Sequence, residues 1–221
     1  MKRNLPHIYN SCWLNSLMIL LSHTDVESEN LMINKMLTYV DNKSDIITQK
    51  EIIQIMINFY KEFNISPDFQ NSRQMLKKFF KLLKFNNSQF EISDDYEKIM
   101  LNKNVVILDY EQLKNMIEYN HEQILQKKQT KENKIISVLD EKINKRVFSH
   151  LTFIYFNDNV YIPCIFSLCL CAHYITIIYM QEGLIIYDDL KEPVLIQNQQ
   201  QINSILMQIT NIEFIGYVKK K

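Results

Sequence analysis

Four side chains of this sequence have the types needed for acyl transfer through a thiol: Cys12 near the start, and His173, Asp188 and Asp189 near the end. A catalytic thiol acts as its thiolate, needs a base within reach, and needs a third group to orient that base. Cys12 follows Asn10-Ser11 and precedes Trp13-Leu14-Asn15-Ser16. Leu14, Leu17, Met18 and Leu21 recur at helical spacing, which predicts a helix with one apolar stripe beginning close to Cys12. Asn10 or Ser11 stands where its cap belongs. A helix start carries unpaired N–H groups and the positive end of the dipole, and both favour a thiolate. By position alone, a free cysteine is more often a small buried hydrophobe, so Cys12 gains meaning only with a partner.

The segment that supplies one runs Cys171-Ala172-His173-Tyr174-Ile175-Thr176-Ile177-Ile178-Tyr179, turns at Gln181-Glu182-Gly183, and continues Leu184-Ile185-Ile186-Tyr187-Asp188-Asp189. This pattern predicts a β-hairpin with a histidine at the head of one strand and two acids at the end of the next. Facing residues of an antiparallel pair have a constant index sum. If Tyr179 faces Leu184 the sum is 363, and Asp188 lies one diagonal step from His173 on the same face; at a sum of 364 Asp189 takes that place. In either register a carboxylate lies beside the imidazole, where it would fix the tautomer and stabilise the charged ring.

The elements that must position these groups fall into two kinds. Helical patterns run near 29–40, 49–63, 72–84, 94–102 and 110–128, followed by a polar turn over 126–134. From about residue 135 the chain turns β-like, with runs at 135–139, 151–156, 161–170, 174–179, 184–187 and 214–218 and a short helix near 200–208. Helices first and strands later argue for an α+β domain. With 221 residues, 47% of them hydrophobic, the chain can bury one sizeable core or one with two lobes. Only 2 Gly and 4 Pro are present, so no linker divides it. Lys and Arg number 25 against 25 acids, a zero balance that gives no reason to expect nucleic acid or an anionic membrane as partner.

Cys12, Cys164, Cys169 and Cys171 do not make a disulfide framework at this length, which points to a reducing compartment. The basic Met1-Lys2-Arg3 and the apolar Trp13 to Leu21 loosely mimic a signal peptide, but Pro6, His7, Asn10, Asn15 and Ser16 interrupt it. A soluble, intracellular protein, cytoplasmic or nuclear, is the expectation. His23, His121 and His150 have no partner that the sequence can name.

Asn10-Ser11-Cys12-Trp13-Leu14-Asn15-Ser16-Leu17 resembles the cysteine box of the ubiquitin-specific proteases, Asn-Thr-Cys-Tyr/Phe-x-Asn-Ser. Ala172-His173-Tyr174, with Tyr187-Asp188-Asp189 after it, is similar to their histidine box. The resemblance implies a papain-like fold: a helical lobe over 1–134 carrying the cysteine and an antiparallel sheet lobe over 135–221 carrying His and Asp, in one catalytic domain. It implies a thiol hydrolase cleaving the isopeptide or peptide bond after the C-terminal glycine of ubiquitin or a ubiquitin-like modifier, with no metal or organic cofactor. The partners would be ubiquitin and its conjugates, and the protein a monomer. Cys12 would be the nucleophile, His173 the base, Asp188 the orienting acid and Asp189 a supporting acid.

Two positions depart from the family pattern. Ala172 stands where a glycine precedes the histidine, after an apolar Cys169-Leu170-Cys171 approach. His7 stands five residues before the cysteine, where the family has an oxyanion-donating Asn. The donor here is then His7 or Asn10, together with the Cys12 N–H. The zinc-binding Cys-x-x-Cys pairs of larger members are missing, and Cys169-x-Cys171 is too tight for that ligand spacing. A papain-like peptidase with another protein substrate, or a catalytically silent ubiquitin-binding member, would carry the same boxes.

Overall fold

The structure, a computed structural model, describes residues 2–23, 28, 30–42, 47–68, 99–102, 105–109, 154–156, 159–209 and 211–219. In chain order the described elements are helices α1 (Cys12–Ser22), α2 (Leu31–Val40) and α3 (Gln49–Glu62), strands β1 (Ile99–Asn102), β2 (Val105–Asp109), β3 (Ile154–Phe156), β4 (Asn159–Leu170), β5 (His173–Met180), β6 (Gly183–Tyr187) and β7 (Val194–Ile196), helix α4 (Gln199–Gln208), and β8 (Ile212–Lys219). The strands form one sheet in the order β1-β2-β8-β4-β5-β6-β7, with β3 paired to β4. Every described pairing is antiparallel. The α+β class expected from the sequence holds.

Both faces of the central strands are buried. Tyr174 and Ile178 of β5 and Ile185 and Tyr187 of β6 pack with α1, α2 and α3. Ile177 and Leu184 point to the opposite face, where they cluster with Ile215 and Tyr217 of β8 and with Ile202 and Leu206 of α4. Burial on both sides explains why these strands read as nearly continuous apolar runs rather than as alternating ones.

Helix α1 is enclosed more fully than its stripe predicted: every residue from Cys12 to Ser22 is buried. A helix surrounded on all sides must be apolar all round or have its polar groups satisfied. Asn15 and Ser16 meet that requirement through hydrogen bonds to neighbouring elements. α3 begins with a full capping box between Thr48 and Glu51.

The N-terminal half departs from its expected helical character. Residues 99–102, expected at the end of a helix, form β1, and β2 follows it and pairs with β8. The sheet therefore draws on the part of the chain expected to be a helical lobe. Ile99-Met100-Leu101 and Val105-Val106-Ile107-Leu108 are short apolar runs, which periodicity cannot assign, and their partner strand lies far downstream. The helices expected at 72–84 and 110–128 and the β-run at 135–139 lie outside the described residues. β7, only three residues long, was not foreseen.

The two glycines stand where a side chain does not fit. Gly183 opens β6 at φ 138°, and a Cβ there would run into the Ile196 carbonyl of β7. A Cβ on Gly216 of β8 would come within 2.9 Å of the Ile165 Cβ on β4. The turn leading to His173 has no glycine: Leu170 pairs with His173, and Cys171 and Ala172 between them take φ 51° and 64°. Two consecutive left-handed residues make the hairpin turn whose twist suits the flanking strands, normally built from Asn and Gly.

Candidate functional site

Ser11 is the N-cap of α1, but its side chain does not cap the helix; its Oγ accepts from the Ile8 N–H at 3.0 Å. The first helical residue is Cys12, 4% exposed. Its sulfur is placed among backbone groups. The N–H groups of Tyr174, Trp13 and Cys12 itself favour the thiolate, and the Asn10 carbonyl lies 4.0 Å from Sγ. Burial outweighs them and raises the thiol above its ordinary value, with the Asp189 charge adding to the rise. At neutral pH the sulfur therefore rests as a thiol, and a base must remove its proton.

Tyr174 is the residue after His173, so the backbone that approaches the sulfur belongs to the strand that begins with the imidazole. The β5–β6 pairing has Tyr179 facing Leu184 and Thr176 facing Tyr187, the register of index sum 363. As that register requires, Asp188 meets the histidine: His173 Nε2 lies 2.9 Å from Asp188 Oδ1 and 3.8 Å from Asp189 Oδ1. Occupation of Nε2 leaves Nδ1 as the nitrogen able to accept a proton. Burial pushes the Asp188 carboxyl up, but the hydrogen bond from His173, the Leu190 N–H at 3.1 Å and the neighbouring charges outweigh it, so it lies below its ordinary value. It is an ionised partner.

Asp189 has a different environment. Its side chain is fully buried, and burial raises its carboxyl despite the contacts that lower it. Oδ2 lies 2.8 Å from His7 Nδ1, while Oδ1 is buried with no hydrogen-bond partner among the described residues. The two sequence candidates His7 and Asp189 are thus a pair. The contact limits what His7 can do. While it donates Nδ1–H to a carboxylate, a neutral ring has only a lone pair at Nε2, and only the imidazolium donates from both nitrogens. The side-chain amide of Asn10 has no hydrogen-bond partner among the described residues, and an amide donates at any pH.

Sequence reasoning missed the groups that tie the two halves of the site together. Asn15 accepts from the Leu5 N–H at 2.8 Å and donates to Asn4 Oδ1 at 3.1 Å. Asn4 in turn donates to the Asp188 carbonyl at 2.7 Å and the Lys191 carbonyl at 2.8 Å. This relay runs from the helix bearing Cys12 to the turn bearing both acids. One helical residue further on, Ser16 Oγ lies 2.8 Å from Ser167 Oγ and 2.6 Å from Thr176 Oγ1, which pins α1 to β4 and β5. Asn15 and Ser16 carried a signal, being polar residues within an apolar helical pattern; Asn4 carried none.

The group His173, Asp188 and Asp189 offers three metal-ligating atoms within 4.8 Å of one another. Among the described residues no helix is long and apolar enough to cross a membrane. The four cysteines are free thiols. The chain matches no family model and no curated protein.

Proposed function

We propose that this chain is a thiol peptidase in which Cys12 is the nucleophile, His173 the base and Asp188 the group that orients the base. The observation that supports it most is the meeting of two distant segments: the Tyr174 amide faces the Cys12 sulfur, while the adjacent His173 is held through Nε2 by Asp188 at 2.9 Å. A buried thiol, an imidazole held through Nε2 and the ionised carboxylate that holds it are the three kinds of group that general-base activation of sulfur uses.

In the reaction, His173 Nδ1 takes the thiol proton as sulfur bonds to the scissile carbonyl carbon. The oxyanion receives the Cys12 N–H and a side-chain donor. Asn10 is the better candidate in a neutral state, whereas His7 serves only as imidazolium. The C–N bond then breaks, and the departing amine leaves with the proton from His173. Water, deprotonated by the same ring, adds to the thioester; the C–S bond breaks, and the thiol is regained with a free carboxylate. No step calls on a metal or organic cofactor.

The fold we propose is papain-like, and the substrate is the bond after the C-terminal glycine of ubiquitin or a ubiquitin-like modifier, free or conjugated. Both rest on the cysteine and histidine boxes around Cys12 and His173. Treatment of the full chain with ubiquitin carrying a C-terminal electrophile should add one ubiquitin mass at Cys12, and Cys12→Ala should abolish the adduct. If related modifiers react and ubiquitin does not, the thiol chemistry stands and the substrate changes.

A second reading, a ubiquitin-binding protein without turnover, draws on the 4% exposure of Cys12 and the raised thiol. It predicts stable ubiquitin binding with no adduct at residue 12.

A further inference from the structure

We propose that His173, Asp188 and Asp189 form a binding site for a divalent first-row transition ion of the Zn2+ type, one imidazole nitrogen and two carboxylate oxygens supplying three ligands. The carboxylates are already sorted for this. Asp188 and Asp189 each direct Oδ1 towards His173 Nε2, at 2.9 and 3.8 Å. Their other oxygens are engaged elsewhere, Asp189 Oδ2 with His7 at 2.8 Å and Asp188 Oδ2 facing Lys191 Nζ at 3.5 Å. Such outer contacts hold ligand carboxylates in orientation.

The independent sign of a ligand is Asp189 Oδ1. Its side chain is fully buried, and this oxygen has no hydrogen-bond partner among the described residues. A buried carboxylate oxygen left unsatisfied is costly, and a cation is one group that satisfies it. Zinc bonds of about 2.0–2.2 Å place tetrahedral ligands roughly 3.4 Å apart, so three atoms within 4.8 Å of one another need to shift by only about 1 Å. A fourth position stays open to water, as in zinc sites with three protein ligands.

Binding has a consequence for the imidazole. The ion takes the Nε2 lone pair, so a neutral ring must carry its proton on Nδ1. That ring has no lone pair left for the Cys12 proton. On the peptidase reading, the ion is a reversible inhibitor that replaces the hydrogen bond between His173 Nε2 and Asp188; this part of the inference rests on that reading, whereas binding itself does not.

The test is a Zn2+ titration of the full chain, without substrate, against a chromophoric zinc indicator. One ion should bind per chain with a dissociation constant in the micromolar range or tighter. Asp188→Asn and Asp189→Asn should each weaken it more than tenfold, and His173→Gln should abolish it. Cys169→Ser/Cys171→Ser and Cys12→Ala should each stay within threefold of the parent. Thermal melts of every variant separate a lost ligand from a lost fold. The inference is overturned by a dissociation constant above about 1 mM, by asparagine variants that are folded and bind as the parent does, or by binding that disappears with the thiols. An inert Cys12 towards the ubiquitin electrophile, alongside intact zinc binding, sinks the peptidase reading and leaves the metal site standing.

Discussion

Acid should destabilise this protein through His23, a residue outside the proposed chemistry. His23 is the C-cap of α1, a position where the helix dipole ordinarily favours a charged imidazole. Here burial dominates, the Lys2 ammonium adds to it, and Asp41 opposes them; together they bring the ring down to about 3. Its Nε2 is buried without a hydrogen-bond partner among the described residues, and the ring meets the edge of Tyr187 at 6.3 Å. The folded state therefore holds His23 neutral, while the unfolded chain protonates it near 6.5. The folded value is the lower one. Stability is complete above pH 6.5 and is lost as pH falls from there towards 3, because only the unfolded state binds the proton in that window.

Integrating that difference from pH 7 to pH 5 gives a loss of about 2 kcal/mol, from a total stability that for most domains is about 5–15 kcal/mol. Urea unfolding at pH 7, 6 and 5 measures it. His23→Leu removes the titration, at the cost of some packing against Tyr187 that is the same at each pH. The parent should lose about 2 kcal/mol more than His23→Leu between pH 7 and pH 5. Equal losses in the two proteins would show that acid acts elsewhere, and that burial at the end of α1 does not hold the ring neutral.

Other expectations bear on the site and the sheet. Asp188→Ala should lower kcat/KM on a ubiquitin substrate by about 10²–10⁴-fold, the range of a lost orienting or proton-transfer group, while Asp188→Asn keeps at least tenfold more activity than Ala. The Leu190 N–H at 3.1 Å holds the Asn oxygen towards His173, so an equal loss in both variants would remove orientation as the role of Asp188. Ala172→Gly should stabilise the fold by about 0.5–1 kcal/mol in a thermal melt, since relief of a left-handed alanine at φ 64° exceeds the entropy that glycine adds to the unfolded chain. A lower melting temperature would mean that the turn is not strained. Gly216→Ala should cost about 1–3 kcal/mol, because its Cβ would come within 2.9 Å of the Ile165 Cβ in the middle of the sheet; an unchanged urea midpoint would contradict that spacing.

The histidine hairpin was the most legible part of the molecule. Its strands have a local turn, and the index sum confines the acid facing His173 to two candidates. The register then selects Asp188, because Tyr179 faces Leu184. Strand pairing alone did not disclose the different use of Asp189, which depends on His7, a residue 182 positions away. β1 and β2 were hidden for a similar reason: their identity comes from β8, and nothing within either run distinguishes a strand from part of a helix. Local pattern reaches as far as a turn or a helical period, whereas long-range pairing is settled by which buried surface covers which.

The same argument explains why the polar residues of α1 are informative. A stripe at helical spacing predicts one buried face, and Asn15 and Ser16 would then be ordinary solvent-side residues. Enclosure of the whole helix changes their meaning, because a buried amide or hydroxyl left without partners costs about 1–3 kcal/mol. Each must therefore find a partner on another element, and the partners found are Asn4, which reaches the Asp188 turn, and the hydroxyls of β4 and β5. These contacts fix α1 in rotation as well as in depth. Apolar packing alone would tolerate a helix turned about its axis; hydrogen bonds from two consecutive residues do not. Rotation of α1 sets the direction of its first side chain, so the polar pair inside the helix decides whether the Cys12 sulfur faces the strand that begins with His173.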